Sequence, residues 1–137
     1  MSELESLALA RIVNAEVVRQ FFGYWPSFHD AEITKVTFEA NRGYHAAATF
    51  VINAFGMTKE GQTNRFSKPV KHCTIELQFI DIQEVEFDCF SHQNVIFDLL
   101  IEESGSNLKC TFDSSVGLDA SIVAKEVRVL SLTPATH

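Results

Sequence analysis

A chain of 137 residues with 46% hydrophobic content has room for one domain and enough apolar surface to fold without disulfides or metal. Its formal charge of −7 disfavours a nucleic-acid backbone or an anionic membrane face as partner, and suits a basic protein surface or plain solubility. No apolar run approaches the roughly 18 residues that span a bilayer, and Glu3 and Glu5 stand where a secretory leader would be basic, so a cytoplasmic location is expected.

Leu4, Leu7, Ala8 and Ile12 recur at helical spacing. A second helix is expected after Asn14, whose side-chain oxygen can cap it, with Val17, Val18, Phe21 and Phe22 as its apolar face. Gly23 stands at the left-handed C-cap position, and Pro26 prevents resumption. Beyond Trp25-Pro26 the period becomes two. Residues 31–39 read as a strand in which Ile33 is out of phase with Val36 and Phe38, so a bulge is expected near Lys35. Asn41-Arg42-Gly43 turns into a strand over 44–55, completing a hairpin. The stretch 56–69 is polar, lacks periodicity and reads as a long loop. Further strands are expected over 71–80, 84–90, 94–102, 108–113 and 121–132, with Ser104-Gly105-Ser106-Asn107 and 114–119 as connections.

Such short connections imply antiparallel neighbours, and twelve Phe residues favour pleated, half-buried surfaces. The expected fold is therefore mainly β, α+β in class. It is an antiparallel sheet or partly open barrel of about seven strands, with an N-terminal helix packed against it. One domain over residues 1–137 is expected, firm from about 12 to 132, with 133–137 a frayed tail. Cys73, Cys89 and Cys110 match no zinc or redox spacing, and each falls in phase with apolar neighbours, which predicts three buried thiols.

The sequence holds no phosphate-binding glycine loop and no GxSxG elbow, and no cofactor is implied. Neither His45 nor His72 belongs to a recognisable metal-ligand spacing, which argues against a metal at either. Three groups of residues remain as candidates. Within Gly23-Tyr24-Trp25-Pro26-Ser27-Phe28-His29-Asp30-Ala31-Glu32, the side chains of Trp25, Phe28, His29 and Asp30 could grip a partner, Asp30 orienting or charging the imidazole. The same residues also suit a packed corner between helix and strand, which is the commoner use of such a string. His92, Gln93 and Asn94 in Phe90-Ser91-His92-Gln93-Asn94 either recognise a partner or close a turn. Glu76 and Gln78 share one face of a strand, and Glu84, Glu86 and Asp88 share one face of the next. Were those strands paired, they would make an acidic surface, either merely solvated or suited to steering a basic partner.

The 23–32 string, followed by Phe90-Ser91-His92-Gln93-Asn94-Val95-Ile96, resembles the immunity protein 50 family of bacterial polymorphic-toxin systems. The order and spacing of the two stretches also match, so the resemblance extends over about residues 12–132; the family pattern has Asn where this chain carries Ser91. The resemblance implies a small β-rich cytosolic protein, encoded beside a secreted toxin, that binds the toxin protein and blocks it without catalysis. A different class is also open: a small-molecule or haem-binding β domain with Phe-lined space between sheet and helix, using His29 or His92 as ligand. An acid–base enzyme built on His29 and Asp30 ranks last, because no nucleophile or substrate cradle accompanies them.

Overall fold

A computed structural model describes residues 3–43, 45–57 and 70–135. Among them are helices α1 (Glu3–Ala10) and α2 (Ala15–Phe22) and strands β1 (Glu32–Arg42), β2 (His45–Met57), β3 (Val70–Asp88), β4 (Val95–Ser104), β5 (Asn107–Val116) and β6 (Asp119–Pro134). The strands close into an antiparallel barrel in the order β1-β2-β3-β6-β5-β4. Period-two alternation turns Phe50 and Ile52 of β2, Ile75, Leu77 and Phe79 of β3, and Leu108, Cys110 and Phe112 of β5 into its interior. The Phe50 and Phe112 rings stack there at 4.8 Å between centroids, and Phe79 meets both edge-on.

Six strands replace the expected seven because 71–80 and 84–90 are one strand. The stretch Asp81-Ile82-Gln83, with polar residues at both ends, looks like a turn, yet the ladder to β6 continues across it, from Ile80↔Glu126 to Ile82↔Ala124. What occurs instead is a kink. Asp81 takes a left-handed φ of 60°, and a register shift follows between Ile82 and Glu84. The Asp81 carboxylate lies 3.2 Å from His45 Nδ1 and 3.5 Å from Lys125 Nζ, tying the kink to β2 and β6. The bulge expected near Lys35 is present: the register passes from Ile33↔Ile52 to Lys35↔Val51, leaving Thr34 as the extra residue. Three local expectations fail. Residues Ser114–Val116 belong to β5, not to a connection. Thr133 and Pro134 pair with Thr74 and Cys73, so they are laddered, not frayed. Leu7 is exposed, while Leu9 faces the core beside Ala8 and Ile12. The long loop largely falls on residues 58–69, outside the described residues, and β2 itself runs on to Met57.

The helices stopper the barrel. Ala15, Val18 and Phe22 of α2 join the same core as the strands, and Gly23, at φ 88°, ends the helix by donating its N–H to Arg19 O. Asn14 does not cap α2 through its side chain as expected; it sits in the left-handed region and its Nδ2 donates to Val129 O at 3.3 Å. The reason lies in β6. Strand β5 pairs with β6 only as far as Ala124, and beyond that point Val13 takes the vacant edge. Val13 N–H donates to Val127 O and Val129 N–H donates to Val13 O, each at 2.9 Å. Arg11 meanwhile holds the β4–β5 hairpin, pairing with Glu103 at 2.9 Å and donating to Ser106 O at 2.6 Å. Among the described residues no helix is long and apolar enough to cross a membrane.

Cys73 and Cys110 are buried as expected, but Cys89 is exposed. Strand β3 ends at Asp88, and Cys89, at φ 64°, breaks the alternation that would have turned it inward. Burial pushes the Cys73 thiol up to about 11 and raises Cys110 as well, whereas the hydrogen bond to Asp88 and its negative charge raise Cys89. In a maleimide assay on native protein Cys89 should label readily, and Cys73 and Cys110 only on unfolding. A fast phase that survives Cys89→Ser would show that one of the inner thiols is open.

Candidate functional site

In the closed strand order two strands lie between β3 and β4 in either direction, so the segment from Cys89 to Asn94 must cross one end of the barrel. It arrives at a narrow seam. β1 and β4 share one ladder pair, Glu32↔Val95. The seam is completed by Asp30 N–H to Ile96 O, Ile96 N–H to Ala31 O and Ile33 N–H to Asn94 O, each at 2.8 Å. The two motif stretches singled out in the sequence are thus the two sides of this closure.

Asn94 is buried in it and uses its whole amide. Its Oδ1 accepts from Ser91 N–H at 2.9 Å and Leu118 N–H at 3.1 Å, while Nδ2 donates to Ser91 O at 2.9 Å and Ile33 O at 3.4 Å. One side chain therefore joins the crossing segment, β1 and the β5–β6 connection. Gly117 is what lets that connection approach: with φ at 86°, a Cβ there would collide with Gln93 O and lie 2.6 Å from Asn94 Oδ1.

Leading into the seam, Phe28 and Asp30 both take left-handed backbone, at φ 62° and 69°, a conformation costly for a ring-bearing residue unless its surroundings hold it. Phe28 is held by burial and by the Trp25 ring, edge-on at 5.5 Å. Trp25 itself is partly exposed, so the packed corner rests on Phe28 and the buried Pro26 more than on the indole. His29 points out. Its Nδ1 donates to Phe97 O at 2.8 Å, its ring meets Phe97 edge-on, and Nε2 lies 3.6 Å from Asp30 Oδ1. His92 and Gln93 are exposed on the crossing segment, where Ser91 Oγ accepts from Gln93 N–H and donates to Gln93 O.

Tyr24, Trp25, Pro26, His29 and Asp30 line one side of an open, largely apolar groove of about 810 Å³, with Phe55, Gly56 and His72 on the other. The rings that a small-ligand reading would arrange around a cavity are packed on one another inside the barrel instead, and His29 and His92 stand outside it. Among the described residues no group of three or more ligating side chains could hold a metal ion.

The carboxylates form the third feature. Glu84, Glu86 and Asp88 do not face a paired strand bearing Glu76 and Gln78, since all five lie on β3. The register extends them sideways instead. Asp88 pairs with Asp119 of β6, and on the far side of β5 Asp113 pairs with Asp98 of β4. Phe112↔Ala120 sets Asp113 beside Asp119, so an aspartate from each of four successive strands stands in one row. Glu86 lies in the next row opposite Ser121, and Glu84 in the row beyond, where Val123 and Lys109 lead to Glu102. Like charges placed directly across a ladder repel, so this face is held by the interior side chains beneath it. Asp98, Asp113 and Asp119 were not singled out in the sequence, because nothing local tells which strand β3 pairs with.

This is a small antiparallel β-barrel with a helical stopper, closed by two short motifs and acidic over one outer face. A family model described as immunity protein 50 matches residues 14–135, and the chain belongs to that family. No curated protein and no solved structure matches it.

Replacing Asn94 with Ala would leave two backbone donors and two carbonyls at the seam without partners, at a cost of about 2–4 kcal/mol. Gln93→Ala, which keeps every backbone bond, should melt like the parent. Equal denaturation midpoints for the two variants would show that the seam does not depend on the Asn94 amide.

Proposed function

We propose that this protein is a cytosolic, non-enzymatic inhibitor that binds a cognate bacterial toxin and blocks it by occlusion, approaching it with the acidic outer face of β3 and its neighbours. Membership of an immunity-protein family supports the class of partner. The observation that carries the choice of surface is the alignment of Glu84, Glu86 and Asp88 with Asp119, Asp113 and Asp98 across adjoining strands. Carboxylates concentrated on one side of a chain of charge −7 attract a basic surface from a distance and orient its approach. Among the motif residues, Trp25, His29, Asp30, His92 and Gln93 have exposed surface that can join the contact, whereas Phe28 and Asn94 are buried and position them.

Binding kinetics against the purified product of the adjacent toxin gene test this reading. Association should slow as salt rises, because exposed charges are screened beyond about 8 Å at physiological ionic strength. Reversing Glu84 and Glu86 to Lys should lower the on-rate by about tenfold at low salt with a smaller effect on the off-rate. Salt-insensitive association would move the contact off the acidic face, and no association at all would remove the inhibitor reading.

A further inference from the structure

At the same end of the barrel three phenylalanines stand half in solvent: Phe38 of β1 at 49% exposure, Phe87 of β3 at 37% and Phe90 of the crossing segment at 50%. They are one cluster. Phe87 meets Phe38 edge-on at 5.3 Å and stacks on Phe90 at 6.0 Å. Below them Phe87 contacts Phe50 at 6.5 Å, and Phe50 stacks on Phe112, so a continuous aromatic column rises from the core to the surface. Chains that stay soluble seldom leave contiguous aromatic surface uncovered without a use for it. Rings already fixed from beneath lose little freedom when something packs on them.

Charge says what that something is. Phe87 lies between Glu86 and Asp88 in the chain, and the two carboxylates share with Phe87 and Phe112 a groove of about 260 Å³ that also takes in Asp113 and Asp119. Aromatic rings rimmed by carboxylates suit a side chain with an apolar stem and a cationic head: the stem packs on the ring, the cation lies over its face, and the carboxylates neutralise it. A second copy of this chain would bring the same carboxylates against each other.

We infer that the Phe38–Phe87–Phe90 cluster is the anchor of the toxin interface, occupied by a protruding Lys- or Arg-bearing segment of the toxin. This rests on the inhibitor reading above and adds to it where the affinity resides: the acidic rows bring the partner in, and the rings hold it.

The test compares the parent chain, Phe90→Ser, Phe38→Ser with Phe90→Ser, and Leu130→Ser as a control for loss of an exposed apolar side chain elsewhere. Each is measured against the purified adjacent-gene toxin and checked by its melting curve. The double variant should bind on the order of 100-fold more weakly, chiefly through a faster off-rate, with Leu130→Ser within about twofold of the parent. Phe90 lies outside the strands, so the single variant carries the test even if the double variant fails to fold. Parent affinity in a folded Phe90 variant, or in the double variant where that folds, overturns the anchor while leaving the inhibitor reading intact. A parent that does not bind the toxin overturns both, and a parent dimer that the Phe substitutions dissolve would assign the cluster to self-association instead.

Discussion

Everything in this fold waits on closing β1 against β4. A six-stranded barrel with an open seam exposes backbone donors and acceptors along two edges and lets water reach the Phe50–Phe112 stack. Only one ladder pair spans the seam, so regular β pairing is too short to do the work alone. The Asn94 amide does much of the rest, because it bonds across segments far apart in the chain with neither of its groups idle. An apolar side chain of the same size would leave those backbone groups without partners in a buried site, where such losses are most costly.

That constraint explains the character of the two motifs. Tyr24 to Glu32 supplies a chain reversal with two residues in left-handed backbone, and Phe90 to Ile96 supplies the crossing segment with its internal Ser91 and Asn94 bonds. Strings that look like a binding site are first a clasp. The aromatic and acidic surfaces then become available because the clasp holds the crossing segment over one end, while the helices occupy β4 and β6 elsewhere. The structure divides its labour: one set of residues makes the barrel, and another stays on its surface.

How much of this the chain discloses depends on whether the signal is local. The phase break between Ile33 and Val36 marks the Thr34 bulge, and alternation marks most strands and the buried Cys73 and Cys110. The kink at Asp81 imitates a turn, since polar residues and positive φ serve both; only the continuing β6 ladder distinguishes them. Cys89 keeps its neighbours' phase in the sequence but lies one residue past the strand. The side chain of Asn14 suits a cap, yet a vacant β6 edge drew it elsewhere. The aspartate row and the Phe38–Phe87 contact are invisible in one dimension, because each joins strands that the chain visits far apart.

Val13 and its partners at 127–129 have a consequence in time. The segment that seals the β6 edge leaves the ribosome long before the edge that it seals. Until β4 and β6 emerge, the two helices have no strand to dock on, and the long β3 has no β6 beside it. Contacts so distant in sequence make for slow, late assembly, on the order of milliseconds to seconds once β6 has emerged. The barrel thus stays unsealed until β6 is in place. A chain still lacking β6 has neither a closed barrel nor the row of aspartates to which β6 contributes Asp119.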